Sequence, residues 1–333
     1  MSLPGVARTP IPLVDVYAAR DRLRGIATRT PLVRLNVDDA PCEIHLKLEN
    51  LQPIGSFKLR GAANAMGLAT PVQLERGVYT ASAGNMAQGV AFCARRLGVP
   101  CTVIAPDTAA TAKVAAVVRM GGRVIKVPFA RWWQTFEERG YPGVLGTFIH
   151  AFDDQGVMAG NGTIALEILE DLDSVDAIVV PWGGGGLACG IGAAARARKP
   201  ECAIYAAEVA TAAPLTAAWA AGAPRVVDYR SSFVDGIGSK TVFASMLSRA
   251  QLVLAGVVVA SLEEVAASVR LLAERGRIVA EGAGACAVAC AVSGKVGTGR
   301  VVCVVSGGNI DLDVFRSLLQ NDGRSPVEPP RPG

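Results

Sequence analysis

The sequence predicts an α/β fold whose sheets are open, mainly parallel and flanked by helices. Three observations carry that prediction. Short apolar runs of strand length alternate with Ala-rich stretches of helical length along most of the chain. Small residues dominate, with 37 glycines and only 5% aromatics, which suits helices pressed closely on a sheet. Hydrophobic residues reach 51% of 333 against 19% charged, enough to fill a sizeable core and too apolar for disorder.

Taken in order, residues 43–48 (Glu-Ile-His-Leu-Lys-Leu) read as a strand, followed by a loop and a helix opening near Lys58. Residues 77–81 form a strand, 85–97 a helix, 101–105 a strand, 111–120 a helix and 123–127 a strand. That strand–helix–strand spacing matches βαβ units, which demand parallel pairing. Later strands are expected at 177–180, 203–207, 257–260 and 301–305, and helices near 162–169, 187–197, 262–274 and 284–291. Residues 129–143 break the pattern with Trp132, Trp133, Phe136 and Tyr141, an aromatic cluster in an aromatic-poor chain. It reads either as an amphipathic helix feeding a core or as the wall of a substrate pocket. The tail after Gln320, with Pro326, Pro329, Pro330 and Pro332, is expected to be mobile.

Composition also excludes classes of function. The net charge of +4, from 33 basic and 29 acidic residues, is too small and too scattered for a nucleic-acid surface. The start has no long apolar segment of the signal-peptide kind, and the uncharged run 177–195 is broken by Pro181 and six glycines, so no membrane span is expected. Eight cysteines without a C-x-x-C pair suggest reduced thiols and a cytoplasmic protein. His45 and His150 read as structural, Asp153 and Asp154 as a solvated loop, and no zinc or Ser-His-Asp signature is present.

Three segments carry chemistry. In Gly55-Ser56-Phe57-Lys58-Leu59-Arg60-Gly61 a lysine opens an apolar helix, where partial desolvation could lower its pKa and favour Schiff-base chemistry. In Trp182-Gly183-Gly184-Gly185-Gly186-Leu187 a strand runs into glycines at a helix start, a nest for a phosphate. It is neither the dinucleotide fingerprint nor a P-loop. In Ser306-Gly307-Gly308-Asn309 a hydroxyl follows a strand, at the edge where open sheets bind ligands. Each alone has a plainer reading: a solvated lysine, a structural glycine turn, a capped turn.

Together with Ser82-Ala83-Gly84-Asn85-Met86-Ala87-Gln88-Gly89 and Glu281-Gly282-Ala283-Gly284-Ala285, these motifs make the chain resemble, from about residue 10 to 320, the fold-type II pyridoxal-phosphate enzymes of the threonine/serine dehydratase (ammonia-lyase) group. The resemblance implies a two-domain protein: residues 1–76 and 155–320 form a large cofactor-binding domain, and 77–154 a small domain that closes on the substrate. It implies pyridoxal 5′-phosphate as cofactor, a homodimer, and a small amino acid as the partner molecule. By the same resemblance, Lys58 forms the Schiff base and acts as catalytic base. Phe57 packs near the ring, Asn85 bonds its 3-hydroxyl, and Ser306 faces its nitrogen. Gly183, Gly184, Gly185, Gly186 and Leu187 hold the phosphate, so that Val at Gly184 or Gly185 is expected to harm cofactor binding far more than the fold. Ser82, Ala83, Gly84, Asn85 and Met86 bind the substrate.

The departures are equally specific. Met86 stands where the family commonly has His, and Ala83 where racemases carry a second acid/base serine, which disfavours racemisation. Glu208 is followed at the cation-site spacing by Pro214, so no metal site is expected. The implied reaction is elimination of water from a β-hydroxy-α-amino acid, of serine or threonine type or with a bulky aryl group such as phenylserine. A racemase, a β-replacement synthase and a non-catalytic cofactor-binding protein are the alternatives.

Overall fold

A computed structural model describes residues 9–82, 84–109 and 111–320. Ala83 and the tail expected to be mobile lie outside them. The chain opens with α1 (Leu13–Arg22), β1 (Leu32–Arg34), β2 (Glu43–Leu48), α2 (Lys58–Leu68) and α3 (Pro71–Glu75). A second run follows: β3 (Val78–Ala81), α4 (Asn85–Leu97), β4 (Cys101–Pro106), α5 (Thr111–Arg119), β5 (Arg123–Val127), α6 (Phe129–Glu137) and β6 (Thr147–Phe148). The remainder is α7 (Gln155–Asp171), β7 (Ala177–Pro181), α8 (Gly186–Arg198), β8 (Ala203–Val209), α9 (Pro214–Ala221) and α10 (Ala244–Val253). It ends with β9 (Gly256–Ala260), α11 (Leu262–Leu271), α12 (Gly282–Val292), β10 (Arg300–Val305) and α13 (Leu312–Gln320).

Two sheets result. The larger has strand order β1-β2-β10-β7-β8-β9 and the smaller β5-β4-β3-β6. All pairings are parallel except β1 with β2, where Leu32 to Arg34 run antiparallel to His45 to Lys47. The centre of the larger sheet is buried on both faces, so β7 and β10 are continuous apolar runs rather than alternating ones. Ile178, Val180, Val302 and Val304 pack on one side among α1, α7, α8 and α10. Ala177, Val179, Val301, Cys303 and Val305 pack on the other, with α11 and α12. The smaller sheet has its own core, which also takes in Leu59, Ala62 and Met66 of α2.

The glycine wealth finds its reason in a seam between α2, α7 and α8. A Cβ at Gly160 would lie 2.4 Å from the Arg60 carbonyl oxygen, and one at Gly190 2.2 Å from that of Met158. Backbones touch there, and no larger residue fits. Beneath the seam, α2 is pinned by a buried ion cluster. The Arg60 guanidinium donates to Glu49 Oε1 and Oε2, both at 2.8 Å, and to Glu167 Oε1 at 2.6 Å, while Lys47 Nζ lies 2.7 Å from Glu167 Oε2. Such a cluster fixes geometry more surely than it adds stability.

Several sequence expectations need correction. The helix expected at 162–169 begins seven residues earlier, because Asp154 accepts a bond from Val157 N–H and caps it. The helix expected to run to Glu274 gives way at Leu272–Gly276 to a π turn. Asp153 is not free in solvent: Ser245 Oγ and the Arg139 guanidinium donate to its Oδ2 at 3.0 and 2.8 Å. All eight cysteines are buried free thiols, and burial pushes those of Cys93, Cys101 and Cys189 up to about 12. Among the described residues no helix is long and apolar enough to cross a membrane.

Candidate active site

The carboxyl ends of β2, β3, β7 and β10 all lead toward one cavity of about 460 Å³, as expected where open parallel sheets bind ligands. Phe57, Lys58, Ser82, Gly84, Asn85, Met86, Gly183, Gly184, Gly185, Gly186, Leu187 and Ser306 all line it. Of the sequence-derived site residues, only Ala83 lies outside the described structure.

Lys58 is the first residue of α2. Its loop is stitched to the segment after β10: Phe57 N–H donates to Ser306 O at 3.0 Å, and Gly308 N–H to Gly55 O at 2.9 Å. The amine is half-buried and borders the cavity rather than bulk solvent, which overturns the plain reading of a solvated lysine. Burial lowers its pKa to about 8, against the opposing pull of Glu281. Lys58 Nζ donates to Ala151 O at 2.8 Å. That carbonyl is presented by a turn built on His150, whose Nδ1 accepts from Phe152 N–H at 3.3 Å and Asp153 N–H at 3.0 Å. Accepting at Nδ1 requires neutral imidazole, and burial depresses the His150 pKa to about 4.

Two helix ends face the amine across the cavity. Neither α4, with Gly84 at its N-cap, nor α8, with Gly185 there at φ +92°, carries a side-chain cap. No N–H from Gly183 to Leu187 finds a partner among the described residues. Unpartnered N–H groups at helix starts suit anions. The back of the glycine loop is solid: a Cβ at Gly184 would meet the Phe152 ring at 2.2 Å, and one at Gly185 the Trp182 ring at 2.3 Å. Valine at either position therefore strikes the core itself, against the expectation that cofactor binding would suffer far more than the fold.

The aromatic segment serves both of its readings. Phe129, Trp132, Trp133 and Phe136 of α6 line the cavity with Phe152 and Phe243, and all of these rings but the exposed Phe129 pack in or on the smaller sheet's core. Phe136 lies 5.6 Å from Phe152, and Trp133 5.7 Å from Phe243, centroid to centroid. Tyr141 does not line the cavity; Arg131 stacks on it at 5.1 Å. The Glu208 carboxylate accepts from Leu215 N–H, Thr216 N–H and Thr216 Oγ at 2.8 Å each, capping α9.

Glu281 opens the Glu-Gly-Ala-Gly motif, from which no role for it follows. It lines the cavity, and Asn85 Nδ2 donates to it at 2.8 Å. Its position in a Glu-Gly-Ala-Gly run at a helix start was the available signal. Arg60, two residues after Lys58, was likewise unassigned, because its partners Glu49 and Glu167 lie elsewhere in the sequence.

The pyridoxal-phosphate dependent enzyme family model matches residues 23–307. The chain belongs to that family. It is 39% identical over 320 residues to an L-threonine ammonia-lyase of Geobacter sulfurreducens, covering 93% of this chain and 78% of the relative. A Thermotoga maritima L-threonine ammonia-lyase is 35% identical over 323 residues, with the same coverage. Among solved structures, the processed threonine deaminase isoform 2 of Solanum lycopersicum superposes with TM-score 0.83 at 30% identity, covering 92% of this chain and 91% of that one. A serine racemase from Dictyostelium discoideum gives 0.82 at 29%, covering 91% and 99%. The fold is thus that of the fold-type II enzymes, and the chain is a pyridoxal-phosphate dependent lyase of the threonine/serine ammonia-lyase type. The cavity fits the cofactor on its own evidence: a desolvated amine stands opposite a row of unpartnered N–H groups.

Proposed function

We propose that this enzyme eliminates water from a threonine- or serine-type β-hydroxy-α-amino acid, and that the released enamine takes up water to give a 2-oxo acid and ammonia. The observation that carries this reading is that the Lys58 amine lines the same cavity as two uncapped helix starts. When bound, pyridoxal phosphate supplies an aldehyde that captures amines and a ring that withdraws electrons from the substrate Cα. The N–H groups of Gly183, Gly184, Gly185, Gly186 and Leu187 hold its phosphate, with Phe57, Asn85 and Ser306 around the ring. The α4 start, with Ser82, Ala83, Gly84, Asn85 and Met86, orients the substrate carboxylate. Lys58 Nζ, a neutral amine in part of the population near pH 8, takes the Cα proton. The division into residues 1–76 with 155–320 and 77–154 belongs to the same reading, as do the homodimer and the cytoplasmic setting.

Relatives named for threonine favour a small substrate. The rings of Phe129, Trp132, Trp133, Phe136, Phe152 and Phe243 on the cavity wall favour a second reading, in which a bulky aryl serine is preferred. Burying a phenyl group there contributes about 2–3 kcal/mol of discrimination. The test is ammonia release and kcat/KM for threonine, serine and phenylserine, with Lys58→Ala as control. Ammonia release from none of them, or release retained by Lys58→Ala, refutes the lyase reading. A threonine preference unchanged by Trp132→Ala and Trp133→Ala removes the aryl reading alone.

A further inference from the structure

Glu281 is the N-cap residue of α12, yet its side chain caps nothing there. It is 6% exposed and lines the cavity, where Oε1 accepts from Asn85 Nδ2. Two glycines make room for it: a Cβ at Gly307 would lie 2.4 Å from Oε1, and one at Gly236 3.3 Å. Asn85 Oδ1 in turn accepts from Asn309 Nδ2 at 2.8 Å, and Asn309 Nδ2 also donates to Ile54 O at 2.8 Å.

The direction of this line follows from hydrogen-bond arithmetic. The Ile54 carbonyl can only accept, so Asn309 must turn its NH₂ toward it. The second hydrogen of that NH₂ then requires an acceptor, which fixes Asn85 with Oδ1 toward Asn309. The Asn85 NH₂ is thereby turned toward Glu281, which takes one hydrogen and leaves one unassigned. Without an acceptor at 281, the NH₂ end of Asn85 has no protein partner in this line, and nothing on that side opposes rotation of the amide.

We propose that Glu281 is a positioning residue, which locks the Asn85 amide so that a single N–H remains for the ligand of this cavity. The proposal rests on the reading above, that the ligand is the cofactor with its amino-acid substrate. The lock is also charge-sensitive. Burial, with Asp235 adding to it, pushes the Glu281 pKa up to about 7, while Lys113 from α5, Asn85 from α4 and Lys58 from α2 pull it down. Cofactor binding is therefore expected to vary with pH across this range through Glu281.

The test uses apoprotein of the full chain, titrated with pyridoxal phosphate from pH 6 to 8. Glu281→Gln keeps an oxygen for Asn85 and loses the charge; Glu281→Met loses both. We expect Glu281→Gln to bind within about threefold of the parent at pH 7 but with a flattened pH profile, and Glu281→Met to bind roughly tenfold more weakly. Parent-like affinity and pH profile in Glu281→Met, or equal weakening in both variants, overturns the proposal. If Glu281→Met folds poorly, Glu281→Gln decides: retained affinity with a flattened profile supports the lock, and lost affinity refutes it. Ammonia release by the parent is measured in parallel. Its absence would sink the lyase reading while the affinity order still judges Glu281.

Discussion

The Lys58 amine is the residue on which reactivity and stability oppose each other. Its folded pKa, about 8, lies below that of a lysine in an unfolded chain. Below pH 8 the native state therefore carries the full penalty of a poorly solvated cation. The penalty shrinks as pH rises from 8 and is gone above the unfolded value near 10.5. Lys58→Met should then make the apoprotein more stable at pH 7 by roughly 2–3 kcal/mol, a gain that fades toward pH 10, while ammonia release is lost. Thermal melts of the two apoproteins across that pH range measure it; equal melting temperatures at pH 7 would show the amine to be well solvated. The sequence context of Lys58 made the partial desolvation of its amine legible. Its depressed pKa comes from burial in a cavity whose walls, such as Asn85, Phe152 and Gly184, are distant in sequence, and Glu281, equally distant, opposes it.

At the scale of elements, the glycine loop is a packing device as well as an anion nest. Gly185 has φ +92°, and side chains at 184 and 185 would enter the Phe152 and Trp182 rings. Gly185→Val should cost about 3 kcal/mol and lower the apoprotein melting temperature by roughly 5–10 °C. At Gly183 a Cβ would find its nearest neighbour at 3.6 Å, so Gly183→Ala should leave the melting temperature within about 2 °C. Equal effects of the two substitutions would refute this account. The interior strands were readable because burial on both faces makes each an unbroken apolar run, as in Ala177–Pro181 and Arg300–Val305. By contrast α1, whose Leu-Val-Asp-Val-Tyr-Ala-Ala-Arg-Asp-Arg buries only Val16 and Ala19, shows little apolar periodicity, and β1 has three residues. The antiparallel turn of β1 onto β2 is set by tertiary contacts that no local pattern announces.

At the scale of the molecule, residues carried by the two sheets face each other across the cavity, and an ion pair spans them. Lys113 of α5 bonds Asp235, in the segment between α9 and α10, and both line the cavity. The pair is partly exposed, so its contribution to folding is small, under about 1 kcal/mol. Its place suggests an effect on ligand retention instead. Lys113→Ala should shift the melting temperature by less than about 3 °C yet raise the amino-acid KM severalfold, with a smaller change in kcat. The parent should approach the variant's KM as salt rises toward 1 M. A KM that neither the substitution nor salt alters would leave the pair without a functional part.

The seam of α2, α7 and α8 has a consequence for how such an enzyme can diversify. Where backbones touch through Gly160 and Gly190, there is no side chain to vary, and the helix carrying Lys58 is held on an unyielding bed. Another wall carries Phe129, Trp132 and Trp133, which are not fully buried and can be exchanged for smaller or larger side chains, whereas Phe136 on the same helix belongs to the core. Mutational drift is thereby channelled: the half of the cavity that holds the lysine resists change, and the half lined by the outer residues of α6 can be remodelled one residue at a time. Libraries aimed at new substrates belong on α6.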